Sequence, residues 1–332
     1  MKLENKVCIV TGANGFLGNN LIRLLSKDVY EIRAIYHKSS DVIDDLDCKK
    51  YKADILKPET LNEAFEVKEG QKIIVIHCAS KIYLGTKYDQ SVYDANVTGT
   101  KNIVDKCLEV GARLIYVSSV HTIYEKFRPI KEIYDFDQNK LTDFYAKTKT
   151  IATKYVLDMV KEKELDAVVV QPSSILGPHN YSYDYLVEMI KMVASKKLRI
   201  YINGGYDFVD VRDVSIGIIN AIDKGITGNC YILSGHYASV HDLLNLVCNS
   251  CKIKPINLKI PLFLVYLSLP FIKLKNLITK KEALFSRTSI KILQEEAYFS
   301  CDKAIEEIDY HKRELSTTIN DTVIWLKDNE II

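Results

Sequence analysis

The chain has 332 residues, 47% hydrophobic and 27% charged, the balance of an ordinary globular protein with a full core in one large or two modest domains. Its 45 Lys+Arg and 43 Asp+Glu are interspersed and leave a net charge of +2, so no basic footprint for nucleic acid is present. The opening MKLENKVCIV enters a strand-like run that is too short and too interrupted for a secretory signal. A cytoplasmic setting is therefore expected, with the eight scattered cysteines as free thiols.

In chain order, KVCIV (6–10) reads as a strand, followed by a Gly-rich turn and an amphipathic helix. EIRAIYH (31–37) is the next strand; YKADI (51–55) precedes PETLNEAFE, where Pro58 suits the first turn of a helix. KIIVIHCA (72–79), RLIYVSS (113–119) and DAVVVQP (166–172) are three further apolar strands, with helical patterns near 88–110 and 142–163 between them. Short apolar strands alternating with helices predict an α/β fold, a Rossmann-like doubly wound parallel sheet covered on both faces. The second half brings the amphipathic helix SYDYLVEMIKMVASKK, the strand NCYILSG (229–235) and the helix HDLLNLVCNS, then a stretch over 253–332 expected to be mostly helical. The expected division is a dinucleotide domain over 1–175, with 204–235 returning to it, and a smaller, mostly helical substrate-binding region over 176–203 and 236–332. Cys248 and Cys251 have C-x-x-C spacing, but they end a helix and lack two further ligands nearby, so no metal or redox pair is expected.

The segment TGANGFLG (11–18) lies between the first strand and the first helix, with Gly12, Gly15 and Gly18 at three-residue spacing. Such glycines permit a sharp turn, close approach to a pyrophosphate and tight helix–strand packing, and the helix start offers free N–H groups. Gly12, Asn14, Gly15, Phe16, Leu17 and Gly18 are the expected phosphate-side contacts. An acid at the end of the second strand would mark NAD, but that strand ends YHKSSD (36–41). His37, Lys38 and Ser39 offer donors and positive charge to a 2′-phosphate, which favours NADP(H), with NAD(H) as the alternative.

Ser118 and Ser119 close the strand RLIYVSS, at the carboxyl end where ligands of such sheets bind. Downstream, DFYAKTK (143–149) puts Tyr145 and Lys149 four residues apart on one helix face. A free tyrosine titrates near 10, so a proton donor working near neutrality needs a lower value, and a nearby ammonium pushes in that direction. The strand register decides between the two serines, and Ser119 is preferred.

Together TGANGFLG, ADI (53–55), HCAS (77–80), DANVTGT (94–100), YVSS (116–119), YAKTK (145–149) and QPSSILGP (171–178) resemble the extended short-chain dehydrogenase/reductase family. The resemblance continues more weakly through FVDVRDV (208–214) and covers nearly the whole chain. It implies Ser119, Tyr145 and Lys149 as a catalytic triad, with Lys149 also on the nicotinamide ribose. It implies Asp54 and Ile55 at the adenine, and Ala79, Ser80 and Lys81 along the cofactor. Asn96 would brace the active-site strand end, and Pro172, Ser173 and Ser174 would flank the nicotinamide. A homodimer through the helices near 88–110 and 142–163 is also implied.

Sugar-nucleotide dehydratases of this superfamily carry Asp-Glu after the catalytic hydroxyl; here Val120-His121 follows. Sugar-nucleotide epimerases usually carry an arginine just before the DFV-like segment; here Tyr206 stands there, and a bidentate diphosphate reader is lost. The chain looks more like the dihydroflavonol reductase and 3β-hydroxysteroid dehydrogenase branch, which interconverts carbonyl and alcohol on fairly apolar small molecules. His121 and Tyr124 are expected to face the substrate. Within 261–275, the apolar run bounded by Pro261 and Lys273, with Lys275, Lys280, Lys281 and Arg287 further on, is too short to span a bilayer. It is expected to roof an apolar pocket in preference to lying on a membrane surface. An epimerase that returns its hydride, and a binding protein that only keeps the dinucleotide pocket, are the alternative functions.

Overall fold

The computed structural model describes residues 6–25, 31–83, 85–125, 127–267, 269, 287–295 and 297–332. Strands β1 (Lys6–Thr11), β2 (Glu31–Tyr36), β3 (Lys49–Lys52), β4 (Lys72–His77), β5 (Arg113–Val117) and β6 (Ala167–Pro172) join a later strand, β10 (Cys230–Leu233), in one seven-stranded sheet. Its order is β10-β6-β5-β4-β1-β2-β3 and every pairing is parallel. The chain runs one way from β1 to β3 and the other way from β4 to β6. The crevice between the carboxyl ends of β1 and β4 is thus the switch point where a ligand can enter.

Side chains alternate between two apolar layers, as the period of a strand requires. Cys8, Val10, Ile74 and Ile76 face Leu21 and Ile22 of α1 (Phe16–Leu24) and Val214 and Ile218 of the later helix α6 (Val211–Lys224). Val7, Ile9, Ile73 and Val75 face Ile103 and Val104 of α3 (Gly99–Val110) and Ala152 and Val156 of α4 (Phe144–Lys163). The expected doubly wound sheet is present, with both faces covered.

Two helical expectations are corrected. PETLNEAFE forms two short 3-10 turns, Pro58–Leu61 and Glu63–Phe65, because only Leu61, Ala64 and Phe65 reach the core and no continuous apolar stripe sustains an α-helix. The pattern near 88–110 is broken in the middle. A short α2 (Gln90–Tyr93) runs into a π turn at Asp94–Thr98 before α3 begins.

The second half builds a smaller layer around β7 (Ser174–Leu176), β9 (Gly205–Asp210) and β11 (His236–Ser239), in the order β11-β9-β7. Within 204–235, α6 and β10 return to the main sheet, whereas β9 pairs with β7 and β11. Helices α5 (Tyr185–Ala194), α7 (Val240–Ser250) and the C-terminal α10 (Leu315–Asp328) cover the small sheet through Val187, Ile190, Leu244, Val247, Ile319 and Val323. Beyond 253 the described chain mixes helix with extended segments. A two-residue β12 (Leu258–Lys259) pairs with β8 (Ile200–Tyr201), and α8 (Arg287–Gln294) and α9 (Asp302–Ile308) follow. Most of the apolar run after Leu267, with Lys273, Lys275, Lys280 and Lys281, lies outside the described residues. All eight cysteines are free thiols, Cys248 and Cys251 included.

A charged junction ties the two layers together. Asp210 caps α6 and holds Arg212 through two hydrogen bonds of 2.9 and 2.7 Å, and Arg212 reaches Asp321 on α10 at 2.8 Å. Arg313 donates to Asp213 from its side chain and from its backbone, both at 2.8 Å. Removing the guanidinium strands the Asp213 carboxylate beside Asp210 in a buried site. Arg313→Met is expected to lower the unfolding free energy by about 3 kcal/mol, read from the denaturant midpoint, whereas Arg313→Lys should recover part of the loss.

Candidate active site

Asp143 starts α4: its carboxylate accepts from the N–H of Ala146 at 2.9 Å. This fixes the phase of the helix, so Tyr145 and Lys149 turn inward together on one face. The Ser119 side chain faces the Tyr145 phenol closely enough to act on its proton. Lys149, 2% exposed, donates to the carbonyl of Val117 at 2.6 Å, and its ammonium lies 4.6 Å from the centre of the Tyr116 ring. The two serines part company here. Ser118 shares a 2.7 Å hydrogen bond with Thr153, whose own hydroxyl donates to the Lys149 carbonyl, while Ser119 turns toward Tyr145. Ser119 also accepts from the N–H of His121 at 3.2 Å, and its carbonyl accepts from Thr122 at 2.8 Å, with Gln171 donating to Thr122 in turn.

The electrostatics differ from the sequence expectation. Burial pushes the Tyr145 phenol above its ordinary value, the Asp143 carboxylate adds to the push, and the Ser119 side chain pulls back. Lys149 does not lower it in the protein alone, because its own burial depresses the ammonium from 10.5 to about 7.

Asn96, on the π turn, is a fully used amide. Its oxygen accepts from the N–H of Lys81 at 2.7 Å, and its nitrogen donates to the Lys81 carbonyl and to Thr148, both at 3.0 Å. Thr148 donates to the carbonyl of Tyr145 at 2.8 Å. One side chain therefore fastens the segment after β4 to the helix that carries Tyr145. A second chain runs through residues that spacing alone did not single out. Thr11 accepts from Ala79 N–H and donates to Nδ1 of His77 at 2.7 Å; Nε2 of His77 donates to Thr100 at 3.1 Å, and Thr100 donates to the Asn96 carbonyl. This order requires a neutral imidazole, and burial brings the His77 value down to about 3, with Lys149 adding to it.

At the switch point, Gly12, Asn14, Gly15, Phe16, Leu17 and Gly18 form the turn from β1 into α1. Gly12 has φ of +68°, and a Cβ there would stand 2.8 Å from the backbone nitrogen of Ala79. A Cβ on Gly18 would run into the Gly12 carbonyl. No side chain caps the start of α1 at Gly15, so its first N–H groups are open to an anion. The cradle fits a dinucleotide pyrophosphate. Asn14 accepts from the N–H of Val42 and braces the turn after β2. His37, Lys38 and Ser39 sit on that turn, with His37 3.7 Å from the Asp54 carboxylate. Ile55 packs under Gly99, and its carbonyl accepts from Asn102 at 2.8 Å. Ala79, Ser80 and Lys81 follow β4; Pro172 ends β6 and Ser174 opens β7, where the chain passes from the main sheet to the smaller one. Among the described residues, no cluster of His, Cys, Asp and Glu could hold a metal ion.

Residues 8–233 match the NAD dependent epimerase/dehydratase family. The chain belongs to that family. A putative dihydroflavonol 4-reductase of Synechocystis sp. is 27% identical over 330 residues, covering 96% of this chain and 94% of the relative. Sterol demethylase protein B of Methylococcus capsulatus is 27% identical over 240 residues, covering 71% of this chain and 72% of the relative. The crystal structure of gox2253 superimposes with a TM-score of 0.83 at 28% identity, covering 99% of this chain and 100% of that one. The protein is an NAD(P)-dependent oxidoreductase of the extended short-chain dehydrogenase/reductase superfamily.

In this family member, the two expected substrate residues separate. His121 stands edge-on to the Tyr145 ring, 6.2 Å between centres, and stacks at 5.9 Å on Tyr206, whose hydroxyl lies 3.3 Å from its Nε2. Tyr124 instead turns its hydroxyl to Asp135 and Lys140. Tyr206 was legible only as the residue standing where an arginine is usual; its pairing with His121 is long-range and has no local signal.

The buried lysine has a stability signature. A base whose folded value lies below its unfolded one destabilises the fold fully below about 7, and this penalty fades as pH rises toward 10.5, because the unfolded chain binds the extra proton in between. Wild type should therefore gain stability from pH 7 to 8.5 relative to Lys149→Met, on the order of 1–2 kcal/mol, in paired thermal melts without cofactor. Parallel pH profiles of the two proteins would refute the buried-cation assignment.

Proposed function

We propose that the enzyme interconverts a carbonyl and a secondary alcohol on a small, fairly apolar substrate, with Tyr145 as the acid/base. The observation that carries this reading is the convergence of Ser119 and Tyr145, with Lys149 buried one helical turn along, at the carboxyl edge of β5. A bound nicotinamide would supply or accept the hydride. The chain's own residues do the rest. Ser119 orients the substrate oxygen against Tyr145. Tyr145, kept protonated by burial, donates its proton to that oxygen in the reductive direction and takes it back in the oxidative one. Lys149 supplies a cation that favours the phenolate left behind and offers a donor to the nicotinamide ribose.

An apolar substrate is supported by the neutral rings of His121 and Tyr206 at the point where an arginine would read a diphosphate. It is also supported by relatives named for a flavonoid and for sterols. NADP(H) is the preferred cofactor of this reading, on the strength of Lys38 and Ser39 at the end of β2. A homodimer formed through the α3 and α4 faces and a cytoplasmic setting belong to the same proposal.

Tyr145→Phe should leave NADPH binding intact, measured by fluorescence, and reduce turnover by at least 10³-fold on any carbonyl compound found active in a ketone, aldehyde and steroid panel. Unreduced turnover would reject the role of Tyr145. The same panel separates oxidoreduction from epimerisation, since only the former consumes nicotinamide absorbance stoichiometrically. Lys38→Glu should raise the KM for NADPH about tenfold or more and leave that for NADH near its starting value; equal effects on both would count against a 2′-phosphate contact.

A further inference from the structure

The pairing of β8 with β12 brings together two segments that are far apart in sequence, 195–203 and 251–267. Between them they carry six cations, Lys196, Lys197, Arg199, Lys252, Lys254 and Lys259, and no Asp or Glu. All six are exposed. A chain with 43 acids and a net charge of +2 has thus gathered six cations on two acid-free segments here. Of the acids nearby, Glu188 shares a hollow with Lys197 and the last residue, Ile332, and pairs with Lys191 at 3.9 Å, and Asp242 on α7 is engaged by Ser239 at 2.6 Å.

The same place carries apolar side chains that no core claims. Leu258 is 64% exposed, and Phe263 and Leu267, one helical turn apart, are 62% and 63% exposed. Tyr266 between them is 40% exposed. Exposed apolar side chains on segments that carry cations and no acid suit a surface that is fluid, apolar just below its boundary and negatively charged at it.

We propose that this face docks the enzyme peripherally on an anionic lipid membrane. Phe263, Leu267 and Leu258 enter the headgroup–acyl boundary, and the six cations meet the lipid phosphates and carboxylates. Among the described residues no helix is long and apolar enough to cross a membrane, so the contact lies in the interface plane. The inference is independent of the carbonyl chemistry proposed above, because none of these residues belongs to that site.

The test is co-sedimentation of the full chain with phosphatidylcholine vesicles, with and without phosphatidylserine. The chain should pellet with the phosphatidylserine vesicles, stay in solution with phosphatidylcholine alone, and be released by high salt. Phe263→Ser with Leu267→Ser, and separately Lys197→Gln with Lys254→Gln and Lys259→Gln, should each lower partitioning more than tenfold, with NADPH binding unchanged as evidence of folding. No pelleting, or pelleting unaffected by either set, overturns the proposal. So does a vesicle-independent shift from dimer or higher oligomer to a smaller species in the Phe263/Leu267 variant, which would assign the face to a second copy of the chain.

Discussion

The ammonium of Lys149 is buried beneath the carboxyl end of β5, and an ammonium taken from water must be compensated by its surroundings or lose its proton. Here the compensation is a strand carbonyl, Val117, and the face of a buried ring, Tyr116, and it is incomplete, so the group titrates near neutrality. Satisfying that one charge fixes much else. The carbonyl that receives it is the last of β5, so the loop that follows must turn at Ser118 and Ser119. The helix that delivers it must lie close over the sheet, and the Ser118–Thr153 contact holds it there. With the helix so placed, Tyr145 has only one direction to face, toward Ser119.

The π turn at Asp94–Thr98 answers a second demand. An uninterrupted helix over 88–110 would carry its residues past the sheet edge in regular rotation. The wider turn sets Asn96 where its amide reaches both Lys81 and Thr148, and lets its carbonyl receive Thr100. The dinucleotide loop, the segment after β4 and the helix of Tyr145 are then joined through Thr11, His77, Thr100, Asn96 and Thr148, with every hydrogen directed. The chain of donors needs His77 neutral, and the buried Lys149 beside it reinforces this, since a second cation there would be repelled.

The sheet strands were legible because a strand buried on both faces is a short apolar run, and all five of those read this way before residue 173 lie in the main sheet, whereas the polar edge strand β3, KKYK, carries no such run. The glycine turn was legible from its spacing between the first strand and the first helix; of its contacts, Gly18 against the Gly12 carbonyl is local, and Gly12 against Ala79 is set across the fold. The start of α4 was also written locally, as Asp143 ahead of Tyr145. What escaped was set across the fold. Nothing near Pro58 says that the segment after it buries too little to stay α-helical. Nothing near Asp94 announces a π turn, whose reason is Thr148 more than fifty residues later. The departure of β9 from the main sheet follows from its pairing with β7 and β11, not from its own composition. The direction of the Tyr145 shift depends on how deeply the phenol is buried and on the Asp143 cap that also starts its helix, and neither follows from the Tyr–Lys spacing.

The surroundings of Tyr145 extend the same logic to what it can receive. His121 is kept neutral by burial despite the Asp143 and Glu295 carboxylates, and Tyr206 is kept protonated by burial, with Asp207, Glu295 and Asp143 adding to it. Phe208 and Phe299 back Tyr206 edge-on at 6.4 and 6.2 Å. A wall of uncharged rings solvates an anionic substituent poorly, and a diphosphate brought against it would surrender its hydration for a single imidazole–hydroxyl pair. A neutral ring or chain bearing one or two oxygens loses far less water on entry and meets complementary apolar faces. In the proposed reading, the stack from Tyr145 through His121 to Tyr206 and Phe299 would discriminate by desolvation, without any residue that must change its charge as the substrate arrives.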